Sequence, residues 1–130
     1  MAEITRKELI LALIGIHEDH RPRLSGIDLS GLDLSYLNLS SADLGGANLE
    51  GANLYRTNLN AAFLGGANLR NASLKEAYMR QTRVMGADLR GADFTDARMT
   101  GAVFQACDVE GAILPDAFKQ LASDPAGGKR

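Results

Sequence analysis

Between Leu24 and Leu114 a large apolar residue falls at every fifth position, nineteen times without a polar interruption. Thirteen of these centres are Leu; the others are Met79, Val84, Phe94, Met99, Phe104 and Val109. Two residues ahead of each centre from Leu44 onward stands a small residue. From position 42 to position 117 it is always Ala, save Thr57, Thr82 and Cys107. The three remaining positions are mostly Asn, Asp, Ser, Gly, Arg and Glu.

A five-residue period fits neither regular element. An α-helix advances about 100° per residue, so centres five apart would be smeared around its circumference. A flat strand sends residues separated by an odd number to opposite faces. The remaining solution is a chain that turns a corner after every five residues, with the centre and the preceding small residue facing inward. Four such sides close a square coil of twenty residues, and each coil hydrogen-bonds to the next at about 4.8 Å. The frequent Gly and Asn of the outer positions suit tight or left-handed corners. At spacing twenty the inner residues stack in four columns, one of them Leu24, Leu44, Leu64, Val84 and Phe104. With 5% aromatic residues and no Trp, the core has to be built from Leu and Ala. Each buried Leu contributes about 1.5–3 kcal/mol, and the Ala sites let the square close without overpacking.

The repeat is written as "ADLGG" (42–46), "ANLEG" (47–51), "ANLYR" (52–56), "ANLRN" (67–71), "ADLRG" (87–91) and "ADFTD" (92–96). It closely resembles the pentapeptide-repeat family, whose motif is A(D/N)LXX, from Gly26 to about Ala117. The resemblance implies an all-β solenoid, a right-handed quadrilateral β-helix. Nineteen centres would make nearly five coils, a stack about 23 Å tall at the strand spacing. The expected organisation is an N-terminal capping helix over 1–21, the β-helix over 22–117, and a C-terminal cap with a flexible tail over 118–130.

The ends of such a coil expose its core and its backbone edges. "TRKE" at 5–8 has the form of a capping box, with Thr5 as N-cap and Glu8 reaching back. It opens a predicted helix over 6–18, apolar at Leu9, Ile10, Leu13, Ile14 and Ile16. The first coil carries large residues at the usual Ala site, Ile27, Leu32 and Leu37, and so is wide enough to seat that helix. Beyond Pro115, "DAFKQLAS" (116–123) predicts a short capping helix with Phe118 and Leu121 inward.

Catalytic chemistry finds little support. His17 and His20 lie in "HEDH" with Glu18 and Asp19 between them; they are the only histidines, and two alone make half a metal site. They read as a solvated helix end. Cys107 stands at an inward small site with no His among the repeats to activate it, and Thr57 and Thr82 read as small core substitutes. Neither "GGANLEGA" nor any other Gly-rich stretch has the Lys of a phosphate loop. Asp28, Asn48, Asn68, Asp88 and Asp108 stack in one outer column and are expected to form a hydrogen-bonding ladder. The expectation is a non-enzyme without cofactor, metal or catalytic residues.

Function would then rest on the outer surface. The column Glu50, Arg70, Arg90, Glu110 suggests local charge pairing, and Arg56, Glu76, Asp96, Asp116 an acidic corner. Phe63 takes a place where Asn or Asp is usual. Met85 and Val103 point outward on the same side, with Arg83 among them, and Tyr55 and Tyr78 stand outward on neighbouring sides. This is the candidate partner-binding patch: Phe63, Arg83, Met85 and Val103, with Tyr55 and Tyr78 as secondary candidates. The expected partner is another protein. A net charge of −2 speaks against nucleic acid, and the apolar run 9–16 is too short to span a membrane. A cytoplasmic monomer or weak dimer acting as an interaction or scaffold module is the first expectation. The family resemblance implies an alternative, a DNA-mimic regulator or protector of DNA gyrase. Its known examples are longer and strongly acidic rods.

Overall fold

The computed structural model describes residues 4–14 and 21–118. Its elements are a helix α1 (Arg6–Ile14), two short strands β1 (Arg83–Met85) and β2 (Val103–Gln105), and a 3-10 helix Asp116–Phe118. From residue 21 to the 3-10 helix the chain runs as a solenoid whose rungs are parallel bridges between residues twenty apart. Four ladders result. The first wall stacks Arg23, Asp43, Phe63, Arg83 and Val103; the second Asp28, Asn48, Asn68, Asp88 and Asp108. The third stacks Asp33, Asn53, Ser73, Asp93 and Ile113; the fourth Asn38, Asn58, Tyr78 and Arg98. Among the described residues only β1 and β2, on the first wall, lengthen a rung into a strand pair, Val84 opposite Phe104.

The five-residue repeat accounts for its own backbone donors. Where a coil lies above it, the N–H of a centre donates to that coil, as Leu44 N does to Phe63 O at 2.8 Å; where one lies below, the N–H before the centre donates to it, as Phe63 N does to Ala42 O at 2.9 Å. At the corner the residue two after the centre has positive φ in every repeat from Gly26 to Gly111. Most corners are closed by a bond such as Ala52 N to Leu49 O at 3.0 Å, the arrangement of a type II turn. Half of these left-handed sites are Gly; the rest include Tyr36, Arg56, Ala61 and Glu76.

That leaves the N–H of the residue just after each centre. Every Asp and Asn standing before a centre accepts it through a side-chain oxygen, as Asp28 does from Ser30, Asn48 from Glu50 and Asp88 from Arg90. The outer Asp/Asn column is therefore not the coil-to-coil ladder that its stacking suggests. Its bonds close locally, because a buried or half-buried N–H needs an acceptor and an Asx side chain reaches two residues on. Side-chain contacts between coils within these columns are few and long, such as Asn53 Nδ2 to Asp33 Oδ1 at 3.4 Å.

The inward centres form one core, from Leu29 to Leu114, with Phe94 the largest side chain fully enclosed. Thr57 and Thr82 are also fully buried. Their hydroxyls donate to the carbonyls of Leu34 and Leu59 in the coil below, at 2.7 and 2.8 Å. They are polar pins as well as small fillers.

At the lower end the capping box forms as its residues predict: Thr5 N donates to Glu8 Oε1 and Glu8 N to Thr5 Oγ1, both at 3.1 Å. Leu9 of α1 is fully buried, and Ile4 and Leu13 pack on the same cluster beside the half-buried Ile27, Leu32 and Leu37. Arg6 donates to the carbonyls of Asp33 and Ser35. The part of the predicted helix beyond Ile14 lies outside the described residues. At the upper end Phe118 packs edge-on against Phe104, 5.3 Å between centroids, and Phe104 against Phe94 at 6.1 Å. Of the C-terminal helix expected over 116–123, the described part, Asp116–Phe118, is a 3-10 turn; residues 119–123, Leu121 among them, lie outside the described residues.

Candidate functional site

The first wall departs most from the Asx rule. Above Asp43 its outward positions are Phe63, Arg83 and Val103, none able to accept the neighbouring N–H. The Phe63 ring lies against the backbone of Gly45 and Gly65: a Cβ on Gly45 would come within 2.9 Å of it, and one on Gly65 would overlap it. These two are the only glycines directly following a centre. Arg83, one rung above, sets its guanidinium 5.4 Å from the ring centroid. Phe63 is therefore half-buried, where its register alone suggests a freely exposed ring. Met85 is half-buried too, and Val103 is exposed at 41%.

At the corners of β1 and β2 no backbone bond closes the turn among the described residues. Val84 O faces Cys107, whose thiol donates to it at 3.0 Å. Cys107 is buried, and burial pushes its thiol pKa up, the reverse of what a nucleophile needs. No group of three or more metal-ligating side chains occurs among the described residues; His17 and His20 lie outside them.

On the fourth wall, around the corner from Arg83, Arg98 stands over the Tyr78 ring at 5.1 Å, with Arg80 between that ladder and the corner. Tyr55, on the third wall, is tied inward: its hydroxyl donates to Glu76 Oε2 at 2.8 Å, and Tyr36 packs edge-on against it at 5.6 Å. The bond to Glu76 pushes the Tyr55 phenol up, and the same bond leads the causes that hold the Glu76 carboxyl down. The sequence reading missed Tyr36, 64% exposed, and Ile113, 55% exposed. Ile113 had a signal. It precedes Pro115 by two residues, and proline has no N–H for an Asx side chain to accept.

The cations fall into two groups. Arg56 pairs with Glu76 at 3.0 Å, Lys75 with Asp93 at 3.6 Å, and Arg70 with Asp88 at 3.9 Å. Arg90 pairs with Asp88 at 2.7 Å and Asp108 at 3.7 Å. The pairing expected along the column Glu50, Arg70, Arg90, Glu110 thus runs to Asp88 and Asp108 of the neighbouring column instead. Arg80, Arg83 and Arg98 make no ion pair among the described residues.

Among the described residues no helix is long and apolar enough to cross a membrane. The model of the family described as pentapeptide repeats matches residues 21–51, 52–91 and 86–116, in eight copies. No curated protein matches the chain. Among solved structures it is similar to HetL of Nostoc sp. strain PCC 7120, at 38% identity over 77% of this chain and 44% of that one, TM-score 0.43. It is similar to a pentapeptide repeat protein of the Arabidopsis thaliana thylakoid lumen, at 26% identity over 85% and 83%, TM-score 0.47. It is also similar to Rfr23 of Cyanothece 51142, at 28% identity over 68% and 65%, TM-score 0.45. The aligned part spans less than two thirds of Rfr23 and less than half of HetL.

Proposed function

The chain belongs to the pentapeptide-repeat family, and from that premise we propose that it is a non-catalytic interaction or scaffold module whose working surface is the first wall at Phe63, Arg83, Met85 and Val103. The observation that carries this reading is local. Elsewhere each Asp or Asn before a centre fastens its own corner, whereas Phe63, Arg83 and Val103 give up that bond on consecutive rungs. A surface that forgoes local stabilisation for apolar and cationic side chains is the expected composition of a partner site. Tyr78, beside it on the fourth wall, extends the surface; Tyr55 is held by Glu76 and contributes less.

The architecture that goes with this reading is a right-handed quadrilateral β-helix of nearly five coils over 22–117. We further propose that the segment 1–21 closes one end and that 118–130 provides the cap and tail at the other. We propose that the module works in the cytoplasm, as a monomer or weak dimer, with another protein as partner. A second reading, a DNA-mimic regulator or protector of gyrase, has one observation in its favour: acids gather on the second and third walls, among them Asp28, Asp88, Asp108, Asp93 and Asp96.

A pull-down from native lysate with wild type and a Phe63→Ser/Met85→Ser/Val103→Ser variant of equal melting temperature tests both. A protein held by wild type and lost by the variant supports the first wall as the interface. Equal retention by both overturns it, and retention of gyrase by both favours the second reading.

A further inference from the structure

Resting on that reading of the first wall, we propose that the partner presents an acidic extended segment, which docks along the edge between the fourth and first walls and is read by Arg80, Arg83 and Arg98. Three observations converge. First, the charges are segregated by wall. The second and third walls carry nearly all the acids and pair their own cations within 4.0 Å. The fourth wall carries Arg80 and Arg98 with no acid on its ladder, and on the first wall Asp43 lies two rungs below Arg83. Glu76 senses the Arg98 charge, but no carboxylate is within ion-pair distance of any of the three among the described residues. Second, two of the three guanidiniums are held over aromatic rings, and the backbone of the third is fixed beside them at the corner. Arg83 lies over Phe63 and Arg98 over Tyr78, and the Arg80 backbone N–H donates to Asn60 Oδ1 at 2.9 Å. A guanidinium already parked on a ring loses less freedom when it binds a carboxylate. Third, Met85 and the exposed Val103 lie beside Arg83, offering an apolar contact at one end of the row of guanidiniums.

The same geometry separates acidic protein from nucleic acid. Base stacking needs an open ring face. The Phe63 ring is enclosed between the glycine backbone and Arg83, and Tyr78 is covered by Arg98. A long polyanion would also run onto the acidic second and third walls, which a short peptide avoids.

Fluorescence anisotropy of the full chain tests the proposal, with a labelled ten-residue oligoglutamate carrying one central Leu and, separately, labelled single-stranded oligothymidine. Two variants of equal charge change are compared with wild type: Arg80→Gln/Arg83→Gln/Arg98→Gln, and Arg70→Gln/Lys75→Gln/Arg90→Gln. The expected result is oligoglutamate binding at low salt that weakens at least about tenfold in the first variant and much less in the second, with steep loss as salt rises. No oligoglutamate binding, equal weakening in both variants, or tighter binding of oligothymidine overturns it. Loss of a captured protein in the Phe63/Met85/Val103 variant, without oligoglutamate binding, would leave the first wall an interface and remove only its acidic partner.

Discussion

Arg6 donates from Nη2 to the carbonyl of Ser35 at 2.9 Å, where in the later coils an N–H of the preceding coil donates. In the coil above, the equivalent carbonyl, Tyr55 O, accepts from Tyr36 N at 3.0 Å. Asp33 O, bound by Arg6 Nη1, corresponds in the same way to Asn53 O, which accepts from Leu34 N. One guanidinium thus stands in for two backbone donors of a coil that does not exist, and its fork geometry suits two neighbouring acceptors.

Arg6→Ala is expected to lower stability by about 1–3 kcal/mol, and Arg6→Lys to recover only part of it. Thermal melts of the three proteins check this. Hydrogen exchange should show the first coil opening ahead of the middle ones.

Gly65→Ala is expected to lower the melting temperature by displacing the Phe63 ring, whose atoms occupy the space of the new Cβ. In a Phe63→Ala background most of that cost should vanish. Because φ is not in the left-handed region there, backbone strain does not confound the cycle. A cost that persists in the double variant would contradict the ring seat.

Thr57→Val keeps the shape of the buried side chain and removes its bond to Leu34 O. About 1 kcal/mol of destabilisation is expected, and a similar loss for Thr82→Val. The sites are one coil and a corner apart, so the losses should nearly add, which denaturant titration of the double variant measures.

Ala61 holds φ +60° at a corner where Gly carries no steric penalty. Ala61→Gly is expected to be neutral to stabilising by up to about 1 kcal/mol, the relief of left-handed strain being partly offset by the freer unfolded chain. Gly51→Ala, at φ +68°, should go the other way. Paired chemical denaturation curves give both signs.

The acid limb of stability has a definite sign. The Arg90 guanidinium hydrogen-bonded to Asp88 holds that carboxyl below its ordinary value, and the Ser35 hydroxyl and N–H do the same for Asp33. A carboxylate whose pKa is lower in the folded chain contributes stability above its unfolded pKa, near 4, and loses it as pH falls through the folded value. The melting temperature should therefore hold steady from neutral pH to about pH 5 and drop below about pH 4. Arg90→Gln should flatten part of that drop.

The coil was legible because one physical constraint repeats. An apolar centre every fifth residue admits no other backbone, and the ladders of Leu29 to Leu114 follow from it. The capping box was legible because Thr5 and Glu8 act within one helical turn. The side-chain environment was less so. Phe63 sits in its predicted column, yet its half-burial depends on Gly45 in the coil below and Gly65 beside it. The doubled glycines at 45–46 and 65–66 were that signal, hidden because each also contains a corner glycine. The local bonding of the Asp/Asn column is hidden for a related reason: stacking at spacing twenty is visible in a sequence, while the unpaired N–H two residues on appears only once the other donors have been assigned.

Each rung joins residues twenty apart, so no part of the solenoid has to search far along the chain for its neighbour. Contacts this local favour rapid propagation over a slow global rendezvous. A growing chain emerging from the ribosome at its N-terminal end would find α1 and the first coil already offering a template. Each further score of residues could settle onto it while the rest is still being made. Such a protein has no single moment of folding; it lengthens into its shape as a course of bricks is laid, and a fault in one course is felt chiefly by those that come after.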